Sequence, residues 1–583
     1  MNRITKLLSL CLVGAGSAAL YLSQQSDGPP VFIQPQAGAF HAAFQRQTLS
    51  GNYLKTRFAQ RHHDWDKASL FIERVLKEQP DNPAFIKRAM VLAIGAGEGE
   101  KAIAHAARLE ALKDEDSALS KLFLALGSFK NKDYEKALTT IRAMPSGGVS
   151  DFIMPMLYGW SNAALGKEPD VALDKNAIHF YHAILIADYL KQPERVETLL
   201  KQALKERDLG PEELERIGDI YSQTGTPDKA RLLYQQALSL SGDSDPILTE
   251  KLALLAESKP LASTHRILKP EDGIAQALYD MARLLAQEYS DESARIFAEM
   301  ALYLNPQMTP CRLLVAHIAA RNEQYDEAIA AYKTIPPEEA HYVDARRNAA
   351  ELLDEQGKTE EALAELQPLA TQFNDVNALV QIGDIYRIKE DYPKAISTYD
   401  KVESHFNGTL PADYWHVHYL RGMAYEQNKQ WNKAETDLKA ALSFQPDHPF
   451  VLNYLGYAWA DQGVHLDEAL AMIEKAVNLQ PEDGYITDSL GWVYYRLGHY
   501  PEAVPHLEQA VELMPYDPVI NDHLGDAYWK MGRTREAKFQ WERAKNHAKD
   551  AKLIKVLDEK LVAGLPDSPT AKTPLKEAKI TLP

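Results

Sequence analysis

The sequence predicts an all-α solenoid, in which helix–turn–helix hairpins of about 34 residues stack side by side. The first observation is a recurring alanine, whose successive copies are 34 residues apart at five places and 33 or 35 apart at others. The second is a glycine that precedes the alanine by twelve or thirteen residues. The third is a proline that follows several of the alanines by twelve. The period predicts about 12–14 hairpins in all.

Each position of the repeat has a physical reason. Where two helices cross closely, only a small side chain fits, which accounts for the alanines Ala68, Ala102, Ala137, Ala230, Ala294, Ala328, Ala362, Ala395, Ala434, Ala469, Ala503 and Ala537. The same reason applies to the glycines Gly218, Gly383, Gly422, Gly456, Gly491 and Gly525. An aromatic residue follows each glycine by three, at Tyr221, Tyr386, Tyr425, Trp459, Tyr494 and Tyr528. A proline such as Pro515 ends the second helix.

These positions together resemble the tetratricopeptide repeat. The segment Leu490-Gly491-Trp492-Val493-Tyr494, followed by Ala503, Leu507, Ala510 and Pro515, fits nearly every position of that family. The resemblance is specific from about 376 to 544, looser over 49–137 and 275–370, and poor between 140 and 210. It implies a right-handed superhelix in which the first helix of each hairpin lines the inner face.

Composition excludes several function classes. The formal charge of -18 argues against binding to a phosphate backbone, so we expect no nucleic acid partner. Two cysteines, Cys11 and Cys311, exclude a disulfide framework and a cysteine-based zinc site. The sequence has no Gly-rich phosphate loop, no nucleophile elbow and no His-Glu-x-x-His motif. We therefore predict a protein that is not an enzyme and has no cofactor or metal.

The amino terminus, residues 1–22, predicts export. Arg3 and Lys6 precede an apolar stretch, and small residues at Ser17-Ala18-Ala19 fit signal-peptidase cleavage. Three alternatives remain open: a cleaved signal peptide, a retained membrane anchor, and lipidation of Cys11. All three place the body of the protein across a membrane, and we expect a periplasmic protein, soluble or membrane-anchored.

The rest of the chain divides by pattern. Residues 23–48 are polar and rich in proline and glycine, which predicts a flexible linker. A divergent repeat segment follows over 49–256, a junction over 257–273 and a regular repeat array over 274–546. Residues 547–563 predict a capping helix that covers the last hairpin. The tail, 564–583, is predicted to be disordered.

The family resemblance places an aromatic and charged track on the inner face of the last four hairpins. Its expected partner-binding residues are Tyr419, Asn453, Tyr457, Asp488, Trp492, Tyr495, Arg496, Asp522, Asp526, Trp529 and Lys530. Tyrosine, tryptophan and arginine often contribute most of the binding energy at interfaces. The alternative is that these aromatic residues pack on the neighbouring hairpin and are buried.

The layout as a whole resembles the large periplasmic tetratricopeptide proteins of bacterial envelopes, and among them the lipoprotein adaptors of carboxy-terminal processing proteases. This resemblance implies a scaffold or adaptor that binds a protein partner, such as an envelope protease or an assembly factor. The alternative function is an accessory role in polysaccharide export or glycan processing, with sugars stacked on the aromatic track.

Overall fold

The computed structural model describes residues 48–565, except 113–117, 146, 148, 170–172, 174–176, 207–208, 242–244, 260 and 262–265. In this part of the chain the backbone forms twenty-nine α-helices, one short 3-10 helix and no strand. The predicted all-α solenoid is confirmed. The predicted N-terminal segment 1–22, the linker except Thr48, and the tail from 566 onward lie outside the described residues.

Two compact units divide the chain, and the second begins at Leu366. The helices of the first unit are α1 (Leu49–Arg61), α2 (Trp65–Glu78), α3 (Pro83–Gly95), α4 (Gly99–Ala111), α5 (Ala118–Lys130), α6 (Tyr134–Arg142), α7 (Val149–Ala164), α8 (Ala177–Tyr189), α9 (Pro193–Glu206), α10 (Pro211–Gln223), α11 (Pro227–Leu240), α12 (Pro246–Ala256), α13 (Pro270–Gln287), α14 (Asp291–Leu304), α15 (Thr309–Arg321), α16 (Tyr325–Lys333) and α17 (Tyr342–Glu355). Helix α18 (Thr359–Gln372) contains the boundary.

The second unit is regular. Its helices are α19 (Val376–Ile388), α20 (Tyr392–His405), α21 (Trp415–Gln427), α22 (Trp431–Phe444), α23 (Pro449–Gln462), α24 (Leu466–Leu479), α25 (Gly484–Leu497), α26 (Tyr500–Leu513), α27 (Pro518–Lys530), α28 (Thr534–His547) and α29 (Ala551–Ala563). Consecutive helices from α19 to α28 form antiparallel pairs, and α29 packs on α28. The 3-10 helix Ala412–Tyr414 lies in the insertion that lengthens one repeat.

The repeat positions do what their spacing predicted. All twelve periodic alanines are fully buried. A Cβ added to Gly491 would lie 3.2 Å from the carbonyl oxygen of Ala503, and one added to Gly525 would lie 3.2 Å from that of Ala537. The glycine of the first helix thus touches the backbone of the second helix at the alanine. This close contact fixes the angle at which each hairpin closes.

The predicted junction at 257–273 does not divide the structure. Helix α13, which begins at Pro270, packs against α7, and α14 packs against α3 and α5. Within the first unit Arg295 Nε donates to the carbonyl oxygen of Gly95 at 2.8 Å, and the Tyr134 hydroxyl donates to Glu271 Oε1 at 2.7 Å. Hairpins distant in sequence therefore pack together, so the unit continues to Glu365.

The segment where the repeat pattern fades forms the centre of the first unit. Ten consecutive residues of α8, from His179 to Asp188, are buried, so no face of this helix shows a polar stripe. Beside them the indole Nε1 of Trp160 donates to His182 Nδ1 at 3.0 Å, and His182 Nε2 lies 3.0 Å from Asp280 Oδ2. A helix buried on all sides loses the amphipathic period, which explains the weak resemblance there.

Among the described residues, no helix has both the length and the apolar character that crossing a membrane requires.

Candidate functional site

The candidate site is the wall formed by the first helices of the last hairpins in the second unit. Helix α23 contacts α25, and α25 contacts α27, so these first helices lie side by side. Each presents a row of residues four apart, which share one helix face. The rows are Asn453, Tyr457 and Asp461 on α23, Asp488, Trp492 and Arg496 on α25, and Asp522, Asp526 and Lys530 on α27. We call these three rows the inner wall.

The structure corrects the expected exposure of part of the predicted track. The buried members are Tyr419, Asn453, Asp488, Trp492, Asp522 and Asp526, and the half-buried members are Tyr457, Tyr495, Arg496, Trp529 and Lys530. Adjacent first helices are close enough for side chains of one to cover those of the next. The half-buried residues therefore form an accessible rim, which we call the rim, and the buried residues lie beneath it.

Trp492 lies at the centre of the inner wall and is only 2% exposed. Its indole stacks on Tyr495, with ring centroids 4.8 Å apart, and on His523, with centroids 4.0 Å apart. His523 Nδ1 lies 2.9 Å from Asp488 Oδ2. Burial by itself would lower the pKa of His523, but the Asp488, Asp522 and Asp526 carboxylates together outweigh burial and the pKa is raised. The stack thus joins α25 to α27.

Two buried polar atoms of the inner wall have no hydrogen-bond partner among the described residues. They are Oδ1 of Asn453, an acceptor, and Nε1 of Trp492, a donor. Asn453 is 4% exposed. Most buried polar groups are paired in native proteins, and an unpaired one costs about 1–3 kcal/mol. The inner wall therefore holds one acceptor and one donor that are available for a hydrogen bond beneath the rim.

Charged groups lie along the carboxyl-terminal ends of these rows. Arg496 Nη1 on α25 lies 3.2 Å from Asp461 Oδ1 on α23, which links the two helices. Burial raises the pKa of Asp461, while Arg496 opposes that shift. Burial also raises the pKa of Tyr457 and of Tyr495, so both phenols are neutral at physiological pH. They can donate hydrogen bonds to a ligand.

Sequence reasoning missed two residues of this site, His523 and Lys560. Lys560, on α29, makes ion pairs with Asp522 and Asp526. The repeat period contained the signal, because Lys560 follows Asp526 by 34 residues. His523 is adjacent to a predicted residue, but its contact with α25 depends on the tertiary packing. Among the described residues, no group of three or more potential metal ligands is clustered.

Comparison with known proteins supports the same architecture. Sequence models of the tetratricopeptide repeat match residues 214–244, 343–368, 415–448 and 488–517. A TPR repeat-containing protein of Pseudomonas aeruginosa, PA4667, is 40% identical to this chain over 80 residues, which are 14% of each protein. That match therefore spans well under two thirds of the relative.

Solved structures also align with this chain, at low sequence identity and with TM-scores below 0.5. A chain of the APC/C hetero-tetramer Cut9–Hcn1 is 16% identical, with 90% of this chain and 98% of that chain covered and a TM-score of 0.38. Yeast Tom70 is 14% identical, with 88% and 95% covered and a TM-score of 0.27. A tetratricopeptide repeat protein from Parabacteroides merdae is 16% identical, with 43% and 97% covered and a TM-score of 0.35.

A stack of helical hairpins with an accessible rim along its first helices is the architecture of a protein-interaction scaffold. The matched repeats define which kind it is. The chain contains tetratricopeptide repeats at these four matched segments, as its sequence pattern predicted. Proteins of the tetratricopeptide repeat superfamily bind protein partners and are generally not enzymes.

Proposed function

We propose that this protein is a non-enzymatic adaptor of the bacterial envelope, and that it holds a segment of a partner protein on the inner wall. The observation that supports the binding site is that two polar atoms of the inner wall, the acceptor Oδ1 of Asn453 and the donor Nε1 of Trp492, have no hydrogen-bond partner among the described residues. The amino-terminal sequence supports the envelope location, through its export pattern at residues 1–22.

The chemistry of the inner wall fits a polypeptide main chain. A polypeptide main chain offers N–H donors and carbonyl acceptors, which are the complements of Asn453 Oδ1 and Trp492 Nε1, and a bound segment reaches these buried atoms when the rim side chains above them move. Pairing both atoms would remove the free-energy cost of leaving them unpaired. The rim residues Tyr457, Tyr495 and Arg496 then contact the side chains of the bound segment, where aromatic and arginine contacts are effective.

The partner that we propose is an envelope protease or an assembly factor. This follows from the resemblance of the whole layout to the lipoprotein adaptors of carboxy-terminal processing proteases. Binding to an adaptor brings a partner close to a second protein and raises its effective concentration without any chemistry by the adaptor. The first unit fills its centre with α7, α8 and α13, so we assign the segment-binding role to the second unit.

The experiment is crosslinking in cells from a photoreactive residue at position 457, on the rim of the inner wall. The matched control has the same residue at position 471, which is exposed on the second helix α24. We expect a protein partner to be captured from position 457 and not from 471. Equal capture from both positions would show that the inner wall is not the binding surface.

A second variant tests the hydrogen bond itself. Trp492→Phe keeps an aromatic ring for the stack and removes the Nε1 donor, and we expect the affinity for the captured partner to fall about tenfold. The matched control is Tyr494→Phe, which removes a hydroxyl that donates to Glu474 Oε1 at 3.0 Å, away from the inner wall. If both variants bind equally well, the main-chain arrangement is wrong.

The alternative, a role in polysaccharide export or glycan processing, depends on stacking of sugars on aromatic rings. Trp492 is 2% exposed and stacks on Tyr495 and His523, so it has no free face of useful size for a sugar ring. Only the rim residues Tyr457, Tyr495 and Trp529 remain for this alternative. Retention on a polysaccharide column that is lost with Tyr457→Ala would favour it over the adaptor role.

A further inference from the structure

The last helix, α29, lies where the first helix of a further hairpin would lie. Lys560 follows Asp526 by 34 residues, just as Asp526 follows Trp492 by 34. Helix α29 packs on α28, and its Lys560 reaches α27. It therefore occupies the surface that each first helix offers to the next one.

Two buried side chains hold α29 in place, Leu557 and Lys560. Lys560 Nζ lies 2.6 Å from Oδ1 of Asp522, and 2.7 and 2.9 Å from the two carboxylate oxygens of Asp526. The indole Nε1 of Trp541 donates to Asp526 Oδ1 at 2.9 Å. The two carboxylates and the indole thus form a closed site for one ammonium group.

This site requires a cation. Burial raises the pKa of Asp526 to about 6, although the neighbouring Lys560 ammonium lowers it. Removal of Lys560 alone would leave two carboxylates buried without a positive partner, which is strongly unfavourable. A neutral side chain therefore cannot take the place of Lys560, whereas another lysine can.

The side of α29 that faces the last hairpin also carries Leu553 and Leu561, which pack against the buried core there. On its other side Lys552 and Lys555 are exposed, and Val562 is 86% exposed. The remaining ion pair, Lys545 with Asp558, joins two groups that are about half exposed, and such pairs contribute little. Helix α29 is the last helix of the described chain and packs on the last hairpin, and terminal elements open before interior ones. It can therefore leave this hairpin without unfolding the hairpins before it.

We propose that Asp522, Asp526 and Trp541 form a lysine-binding pocket, which α29 fills within its own chain and which an amphipathic helix of a partner protein can fill in its place. The helix that fits carries a leucine three residues before a lysine, as Leu557 and Lys560 do. Replacement of α29 by a partner helix involves only the last hairpin. This inference therefore does not depend on the proposed adaptor role.

The test uses the full chain and a fluorescent peptide with the sequence of residues 548–565. In the unaltered chain α29 competes with the peptide for the lysine-binding pocket. Because α29 is tethered to the pocket, its effective concentration there is high. Lys560→Met removes this competition, and we expect the peptide to bind the variant about tenfold or more tightly than the unaltered chain. A peptide with norleucine in place of its lysine should lose that binding. Lys560→Arg keeps the cation and should bind the peptide as weakly as the unaltered chain.

Hydrogen exchange of the same samples distinguishes the outcomes. We expect residues 551–563 to exchange faster in Lys560→Met, while residues 484–513 remain protected. The proposal would be overturned if the lysine and norleucine peptides bound equally well. It would also be overturned if the lysine peptide did not bind a Lys560→Met chain in which residues 484–513 are protected. A dimer of Lys560→Met in light scattering would also overturn it, because a second copy of α29 would then be the occupant.

Discussion

Gly491→Ala tests whether the glycine positions set how closely the two helices of a hairpin pack. A Cβ at this position would lie 2.5 Å from Cγ of Leu507 and 3.2 Å from the carbonyl oxygen of Ala503. The leucine can move in part, but the carbonyl belongs to the backbone of α26. Overpacking of this kind costs about 1–3 kcal/mol. Replacing glycine with alanine inside a helix returns about 1 kcal/mol.

Because a contact of 2.5 Å falls in the upper part of that range, about 2–3 kcal/mol, the net expected effect is a destabilisation of α25 and α26 by roughly 1–2 kcal/mol. This corresponds to an increase of about five- to thirtyfold in the population of the open form. Hydrogen exchange of residues 484–513 measures the population of the open form of this hairpin. A local measurement is needed because repeat arrays do not unfold in one step.

Gly422→Ala is the matched control, since it has the same position in an earlier hairpin. Its added Cβ would lie 3.0 Å from Leu438 Cγ and 3.3 Å from the Ala434 carbonyl oxygen, so the overlap is smaller. We expect this variant to change local stability by less than about 1 kcal/mol. If Gly491→Ala is neutral, or if both variants have the same effect, close helix contact is not the reason for glycine.

Three further predictions concern buried groups. Burial raises the pKa of Glu299 to about 7, so the folded state binds a proton that the unfolded chain releases, and the first unit should gain up to about 3 kcal/mol as the pH falls from 8 to 5. Glu299→Gln should flatten this pH dependence in denaturant titrations. Gly273→Ala should destabilise the first unit by more than about 2 kcal/mol, because the added Cβ would lie 2.3 Å from the ring of Trp160; an unchanged thermal midpoint would contradict this. Arg421→Met should cost the second unit about 3–5 kcal/mol, since Arg421 Nε lies 2.7 Å from Oδ2 of the buried Asp437. Adding Asp437→Asn should recover part of that loss in the same denaturant titration.

The sequence was sufficient to predict the hairpins of the second unit. Positions such as Gly491, Tyr494 and Ala503 recur because each hairpin meets its neighbours in the same way. Contacts between neighbouring hairpins are local in sequence, so the spacing of residues encodes them. All twelve periodic alanines are consequently buried as predicted.

Only the tertiary structure showed how the first unit packs. The hydrogen bond between Arg295 and the carbonyl oxygen of Gly95 joins residues 200 positions apart, and no repeat pattern records such a pair. Helix α8 is buried on all sides, which removes the polar face by which a helix of a solenoid is recognised. The long-range contact explains why the junction predicted at 257–273 does not divide the first unit, and the burial of α8 explains the weak repeat pattern between 140 and 210.

The inner wall shows the same division between local pattern and packing. The spacing of Asn453, Trp492 and Asp526 was enough to place them on the first helices of successive hairpins. It did not determine how close those helices lie, because that distance depends on side chains from two hairpins at once. Residue identity and spacing thus determined which side chains share a helix face. Contacts between helices decided that Trp492 is buried and that Asp526 forms an ion pair with Lys560.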